Sequence, residues 1–106
     1  MNSVRCAFAL LALLASPAFA AGDAAAGKVK ANTCMGCHGI PGYNNAYPTY
    51  RVPKLGGQAP EYLAATLKEY RTGERPHKTM QAQAASLSDQ DIADIADYLS
   101  SSPAHK

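Results

Sequence analysis

The chain has 106 residues, 47% of them hydrophobic and 17% charged, with ten Lys and Arg against eight Asp and Glu for a net charge of +2. That length allows one small domain. The near balance of charge excludes the polybasic composition through which proteins hold nucleic acid.

The first twenty residues read as a secretory signal. Met1 to Val4 and the cation Arg5 precede an apolar run from Cys6 to Ala15, followed by Ser16-Pro17 and the small-residue triplet Ala18-Phe19-Ala20. Cleavage is expected after Ala20. The apolar run is too short to cross a bilayer, which takes about 20 residues, so no permanent membrane anchor is expected. Cys6 stands at the start of the run and not at its small-residue end, where a lipid-modified cysteine belongs, so it leaves with the signal. Residues 21–106 then form the mature domain, with nine Lys and Arg against eight Asp and Glu.

Asp23 is a suitable N-cap, and a helix is expected from there through Ala24-Ala25-Ala26-Gly27-Lys28-Val29-Lys30-Ala31 into Cys34-Met35-Gly36-Cys37-His38. An interior glycine costs about 1 kcal/mol relative to alanine. Gly27 is either a tolerated helix glycine or a place where another helix crosses closely.

Cys34 and Cys37, three positions apart on a helical turn, lie on one face, near enough to form thioethers with the two vinyl groups of one porphyrin. His38 follows at once and can bind the iron from the proximal side. The sequence therefore points to one covalent haem c. Two other readings of Cys-x-x-Cys are weaker. Zinc needs about four converging ligands, and His77 and His105 lack paired spacing. A thioredoxin-like dithiol should follow a strand, and no strand pattern precedes Cys34. Thioether formation requires reduced thiols outside the inner membrane, where conditions are oxidising. The expected location is a bacterial periplasm served by a dedicated attachment system. A haem also staples a domain too small to depend on its own core, and its two propionates bring the mature charge to about −1.

From Gly39 to Gly57 periodicity disappears, and Gly39, Pro41, Gly42, Asn44, Asn45, Pro48, Pro53, Gly56 and Gly57 predict a long loop. Such a loop suits a chain that wraps a large ligand. Tyr43, Tyr47 and Tyr50 within it could pack on a porphyrin edge or bond a propionate, or serve only loop packing. A second helix is predicted over Pro60 to Thr72, with Pro60 in its first turn, Gly73 as C-cap, and Tyr62, Leu63, Leu67 and Tyr70 at helical spacing. The segment Gly73 to Gln81 reads as non-helical. The last helix starts at Ser88, where Ser88-x-x-Asp91 resembles a capping box and Asp89 and Asp91 suit the positive end of the dipole. Ile92, Ile95, Ala96 and Leu99 form its buried stripe, Asp94 and Asp97 read as a solvated face, and Pro103 closes it. No strand emerges, so the expected class is all-α.

A sixth iron ligand must come from the second half of the chain. Met80, 42 residues beyond His38, His77 and His105 are the candidates, because Met35 lies between the two cysteines and cannot reach the opposite face of the ring.

The chain resembles the class I c-type cytochromes, in particular the short soluble periplasmic ones similar to one half of the dihaem cytochromes. The resemblance rests on Gly22-Asp23-Ala24-Ala25-Ala26-Gly27, Cys34-x-x-Cys37-His38-Gly39, Pro53-Lys54-Leu55-Gly56-Gly57-Gln58, Tyr62-Leu63, Tyr70-Arg71-x-Gly73-Glu74-Arg75, Met80 and the run from Leu87 to Leu99. It implies a small cytochrome c fold, with three to five short helices and a long loop around the haem. It implies His38 and Met80 as the axial pair, Gly27 meeting Tyr98 where the first and last helices cross, and the Pro53 carbonyl accepting the proximal imidazole proton. A closed six-coordinate iron implies an electron carrier and not an enzyme. Such a carrier meets its redox partners transiently and is expected to be a monomer, with Lys28, Lys30, Lys54 and Lys78 as candidates for steering. The alternatives are a peroxidase-like or small-ligand-binding haem protein, if Met80 is labile, and a fixed electron-transfer subunit of a dehydrogenase.

Overall fold

The computed structural model describes residues 21–46 and 49–103. The predicted signal segment, Cys6, Tyr47, Pro48 and His105 lie outside them. Five helices and one short hairpin follow in the order α1 (Ala24–Lys30), α2 (Asn32–His38), β1 (Asn44–Ala46), β2 (Thr49–Arg51), α3 (Pro60–Thr72), α4 (Lys78–Ala84) and α5 (Asp89–Ser101).

The helical class is as expected, and three local features differ from the sequence reading. The first helix is not continuous. Asp23 caps it through bonds from the N–H groups of Ala25 and Ala26, but at Ala31 ψ falls to 0 and the chain turns before α2 begins. Asn32 and Thr33, both weak helix formers, follow the turn. Second, the loop contains an antiparallel pair in which Asn44 faces Arg51, Asn45 faces Tyr50 and Ala46 faces Thr49. Third, the segment read as non-helical, Gly73 to Gln81, includes the first four residues of α4, which begins two residues before Met80.

Helices α3 and α5 match their predicted limits. Pro60 opens α3, and Gly73 ends it in the left-handed region at φ +84. Ser88 and Asp91 form the full capping box of α5: each side chain accepts from the other residue's backbone N–H, at 3.1 and 3.0 Å. Helix α5 is the centre of the fold, packed against α3 on one side and α1 on another. Ile92, Ile95, Ala96 and Leu99 meet Leu63 and Ala64 of α3 and Ala31 in one aliphatic cluster, bordered by Leu55, Leu67 and Leu87. Tyr62, although at helical spacing with Leu63, is 52% exposed.

The second packed side of α5 overturns the solvated reading of Asp94, which is 3% exposed. Its carboxylate accepts from the Asp23 N–H at 2.8 Å, from Gln90 Nε2 at 2.8 Å and from Lys30 Nζ. Gly27 lies against the same stretch. A Cβ on it would collide with the Asp94 carbonyl oxygen and come within 2.8 Å of Tyr98 Cβ, so α1 and α5 cross at contact distance there.

Candidate haem site

Helix α2 carries both thiols and the histidine. Cys34 is half-buried against the aliphatic cluster, as is Met35, whereas Cys37 is exposed; neither is in a disulfide. Burial pushes the Cys34 thiol up from its ordinary range. Redox-active Cys-x-x-Cys pairs need the reverse, a lowered thiol, so this environment disfavours the dithiol reading. Among the described residues no three His, Cys, Asp or Glu side chains are grouped closely enough to hold a metal ion, which leaves the zinc reading without a ligand set there.

His38 ends α2, and its Nδ1 lies 2.7 Å from the Pro53 carbonyl oxygen. A carbonyl can only accept, so Nδ1 carries the proton and Nε2 keeps the lone pair that can bind iron. Pro53 is held from both sides. Before it, the Val52 N–H donates to Tyr43 O at 3.0 Å, which extends the hairpin by one bond. After it, Leu55 packs on the cluster and the Gly57 N–H donates to Leu99 O at 3.0 Å. Gly57 has φ +80, and a Cβ on Gly56 would strike the Pro103 carbonyl oxygen, so this stretch needs its glycines to lie against the end of α5. The end of α5 thus sets the loop, and the loop sets the His38 ring. Beside His38 is a cavity of about 280 Å³, walled by Ile40, Pro41, Val52 and Pro53, with Arg51 and Lys54 at its lining.

Met80 is the third residue of α4 and is half-buried. His77, the competing candidate for the sixth position, is the N-cap of that helix: its Nδ1 accepts from the Met80 N–H at 3.3 Å. An imidazole accepting at Nδ1 keeps its proton on Nε2, so His77 cannot cap α4 and offer iron a lone pair at once. A thioether has no such conflict. The His77 ring stands edge-on to Tyr50, with centroids 4.9 Å apart at 86°, and to Tyr70, at 6.2 Å and 79°. Arg75 sits over the Tyr70 ring at 5.4 Å and donates to Thr66 Oγ1 at 3.3 Å.

The structure therefore joins His38 to Pro53, puts Cys34 and Cys37 on the same helix as His38, and carries Met80 on a separate helix. The donor set suits a covalently attached haem, with two thiols on one helical face, an imidazole of the right tautomer and a thioether on another element. Sequence reasoning missed the capping role of His77 and the two tyrosines that bracket it, because a histidine cap has no strong sequence signature. It also offered Lys30 for steering. The Lys30 ammonium is instead engaged by Asp91 at 2.8 Å and by Asp94.

The family described as Cytochrome c matches residues 24–103. Cytochrome c-554(548) of Halomonas halodenitrificans is 50% identical over 84 residues, which cover 76% of this chain and 98% of that protein. Cytochrome c4 of Pseudomonas aeruginosa is 43% identical over 101 residues, 95% of this chain and 49% of that one. The crystal structure of reduced recombinant cytochrome c4 from Pseudomonas stutzeri is similar at a TM-score of 0.57 and 28% identity, covering 78% of this chain and 51% of that one. The chain spans about half the length of these cytochrome c4 relatives.

Proposed function

The chain belongs to the cytochrome c family as a class I c-type electron-transfer haem protein, and we propose that it is a periplasmic one-electron carrier with one covalent haem c. In this reading residues 1–20 are the export signal and residues 21–106 the cytochrome domain. Cys34 and Cys37 form the thioethers, and His38 and Met80 are the axial ligands. The carrier passes electrons between respiratory complexes or dehydrogenases and a terminal oxidase or reductase.

The bond from His38 Nδ1 to Pro53 O, at 2.7 Å, carries the reading. It selects the tautomer a proximal ligand needs, fixes the ring plane and raises the basicity of Nε2. When bound, the haem iron holds or releases one electron by changing between its ferrous and ferric states. His38 would supply a constant proximal donor throughout, because Nδ1 keeps its proton and donates it to the Pro53 carbonyl oxygen. Met80 supplies a soft donor that favours the reduced iron and raises the potential. A haem held by both His38 and Met80 would have no position left open for a substrate, which favours carrier over catalyst. Contacts with redox partners are then brief and small, as electron-transfer encounters are.

The oxidised protein should show the methionine-to-iron charge-transfer band in the near infrared, and Met80→Ala should abolish it while Cys34 and Cys37 still hold the haem. An unchanged band in Met80→Ala would reassign the ligand. A high-spin spectrum with rapid ligand binding in the unaltered protein would favour the catalyst instead, and isolation in a stoichiometric complex would favour a fixed dehydrogenase subunit.

A further inference from the structure

We infer that His77 is the positioning residue for the distal ligand: it fixes the first turn of α4 and with it the presentation of Met80 to the iron. The inference rests on the assignment of Met80 proposed above. Helix α4 has seven residues, too few to be stable by propensity alone, so its first turn depends on what holds it. His77 holds it at two points. Its carbonyl accepts from the Gln81 N–H at 2.8 Å, and its Nδ1 accepts from the N–H of Met80 itself. The capped amide therefore belongs to the residue whose side chain must be placed. Helical side chains lean toward the helix N-terminus, so the Met80 thioether is carried toward the turn that His77 fixes.

A serine or asparagine cap would satisfy the same N–H, and helices use those residues far more often. Histidine adds a ring. Tyr50 of β2 and Tyr70 of α3 meet it edge-on from two elements outside α4, each in the T-shaped geometry aromatic pairs favour. The ring therefore transmits the placement of the hairpin and of α3 to the first turn of α4. The hairpin also continues through the Val52 bond toward Pro53, so one short ribbon braces the supports of both His38 and Met80.

Imidazole added to the oxidised holoprotein competes with Met80 for the iron, so its affinity reads how firmly the thioether is presented. Replacing His77→Ala should raise that affinity about five-fold, the equilibrium equivalent of one lost N-cap. The Met80 amide should exchange with deuterium faster by a similar factor. His77→Asn, which restores the cap without the ring, should recover a large part of the change. His77→Phe, which keeps the ring without the acceptor, should not. Ser88→Ala, which removes a comparable cap from α5, should leave imidazole affinity unchanged. The inference is overturned if His77→Ala stays within two-fold of the unaltered protein, or if Ser88→Ala raises the affinity equally, since the effect would then be global stability. Met80→Ala sets the ceiling of the assay. If it binds imidazole no more tightly than the unaltered protein, the ligand assignment itself fails, and the positioning role with it.

Discussion

Asp94 shows how far a single side chain can depart from its place on a helical wheel. It is an acid on the central helix, buried, and surrounded by three donors from α1 and α5, with the Asp23 backbone N–H first among them in lowering its pKa to about 2. Asp91 is held at about 2 as well, chiefly by Lys30 and then by Ser88. Both values lie below that of a free carboxylate, near 3.8. Between about pH 2 and 4 the unfolded chain therefore binds more protons than the folded one, and stability rises with pH across that window. The contribution is complete above about pH 4 and is lost as pH falls through about 2. The midpoint of thermal unfolding should drop across this interval, and Asp94→Asn should make the drop shallower while lowering stability at pH 7. Equal slopes for the two proteins would show that Asp94 does not drive the acid response.

At the scale of elements, the crossing of α1 and α5 gives opposite expectations from propensity and from packing. Helix propensity alone says Gly27→Ala should stabilise by about 1 kcal/mol. The structure says the new methyl group meets the Asp94 carbonyl oxygen, a backbone atom that cannot rotate away. Overpacking of this kind costs about 1–3 kcal/mol and sometimes more, so after the propensity gain the net change should be a loss of about 1 kcal/mol or more in denaturant unfolding. A gain would mean that the helices do not cross at Gly27. The same comparison explains which elements could be read in advance. Helices α3 and α5 carry chemical signals at both ends, Pro60 with Gly73 and Ser88-x-x-Asp91 with Pro103, and an apolar stripe between them. The Cys34 to His38 motif is local, so it could be picked out without the fold. The pair Asn44–Ala46 and Thr49–Arg51 was not, because three residues are too few to show an alternating pattern and asparagine is poor in strands. Helix α4 was hidden by its length and its histidine cap. Asp94 was misread because a stripe rule assumes one buried face, and α5 packs against neighbours on two.

For the whole molecule, the described residues bury only four large aliphatic side chains, Leu63, Ile92, Ile95 and Leu99, beside the alanines 31, 64, 84, 93 and 96. Complete burial of such an aliphatic side chain contributes about 1.5–3 kcal/mol, a small total against the cost of ordering five helices and a hairpin. Several elements also have little to hold them in place by themselves. Helix α2 has no buried residue of its own, the hairpin strands have three residues each, and Val29, Ile40 and Tyr62 lie largely in solvent. A haem fixed at α2 and α4 would tie together two of the three seven-residue helices and supply the apolar body that the core lacks. The chain without haem should therefore be mostly unfolded at 25 °C. Cys34→Ala with Cys37→Ala removes both proposed thioether positions, and in haem-free conditions this variant should show weak far-ultraviolet helicity and no cooperative thermal transition. Added haem, if held by His38 and Met80 as proposed, should restore part of both signals in proportion to the haem bound. A cooperative transition in the haem-free variant within a few degrees of the holoprotein would mean that the α3 and α5 core is sufficient alone. The haem would then be a passenger on a folded scaffold, and the brace from the hairpin to His38 and Met80, the two proposed ligands, would serve redox tuning without contributing to the fold.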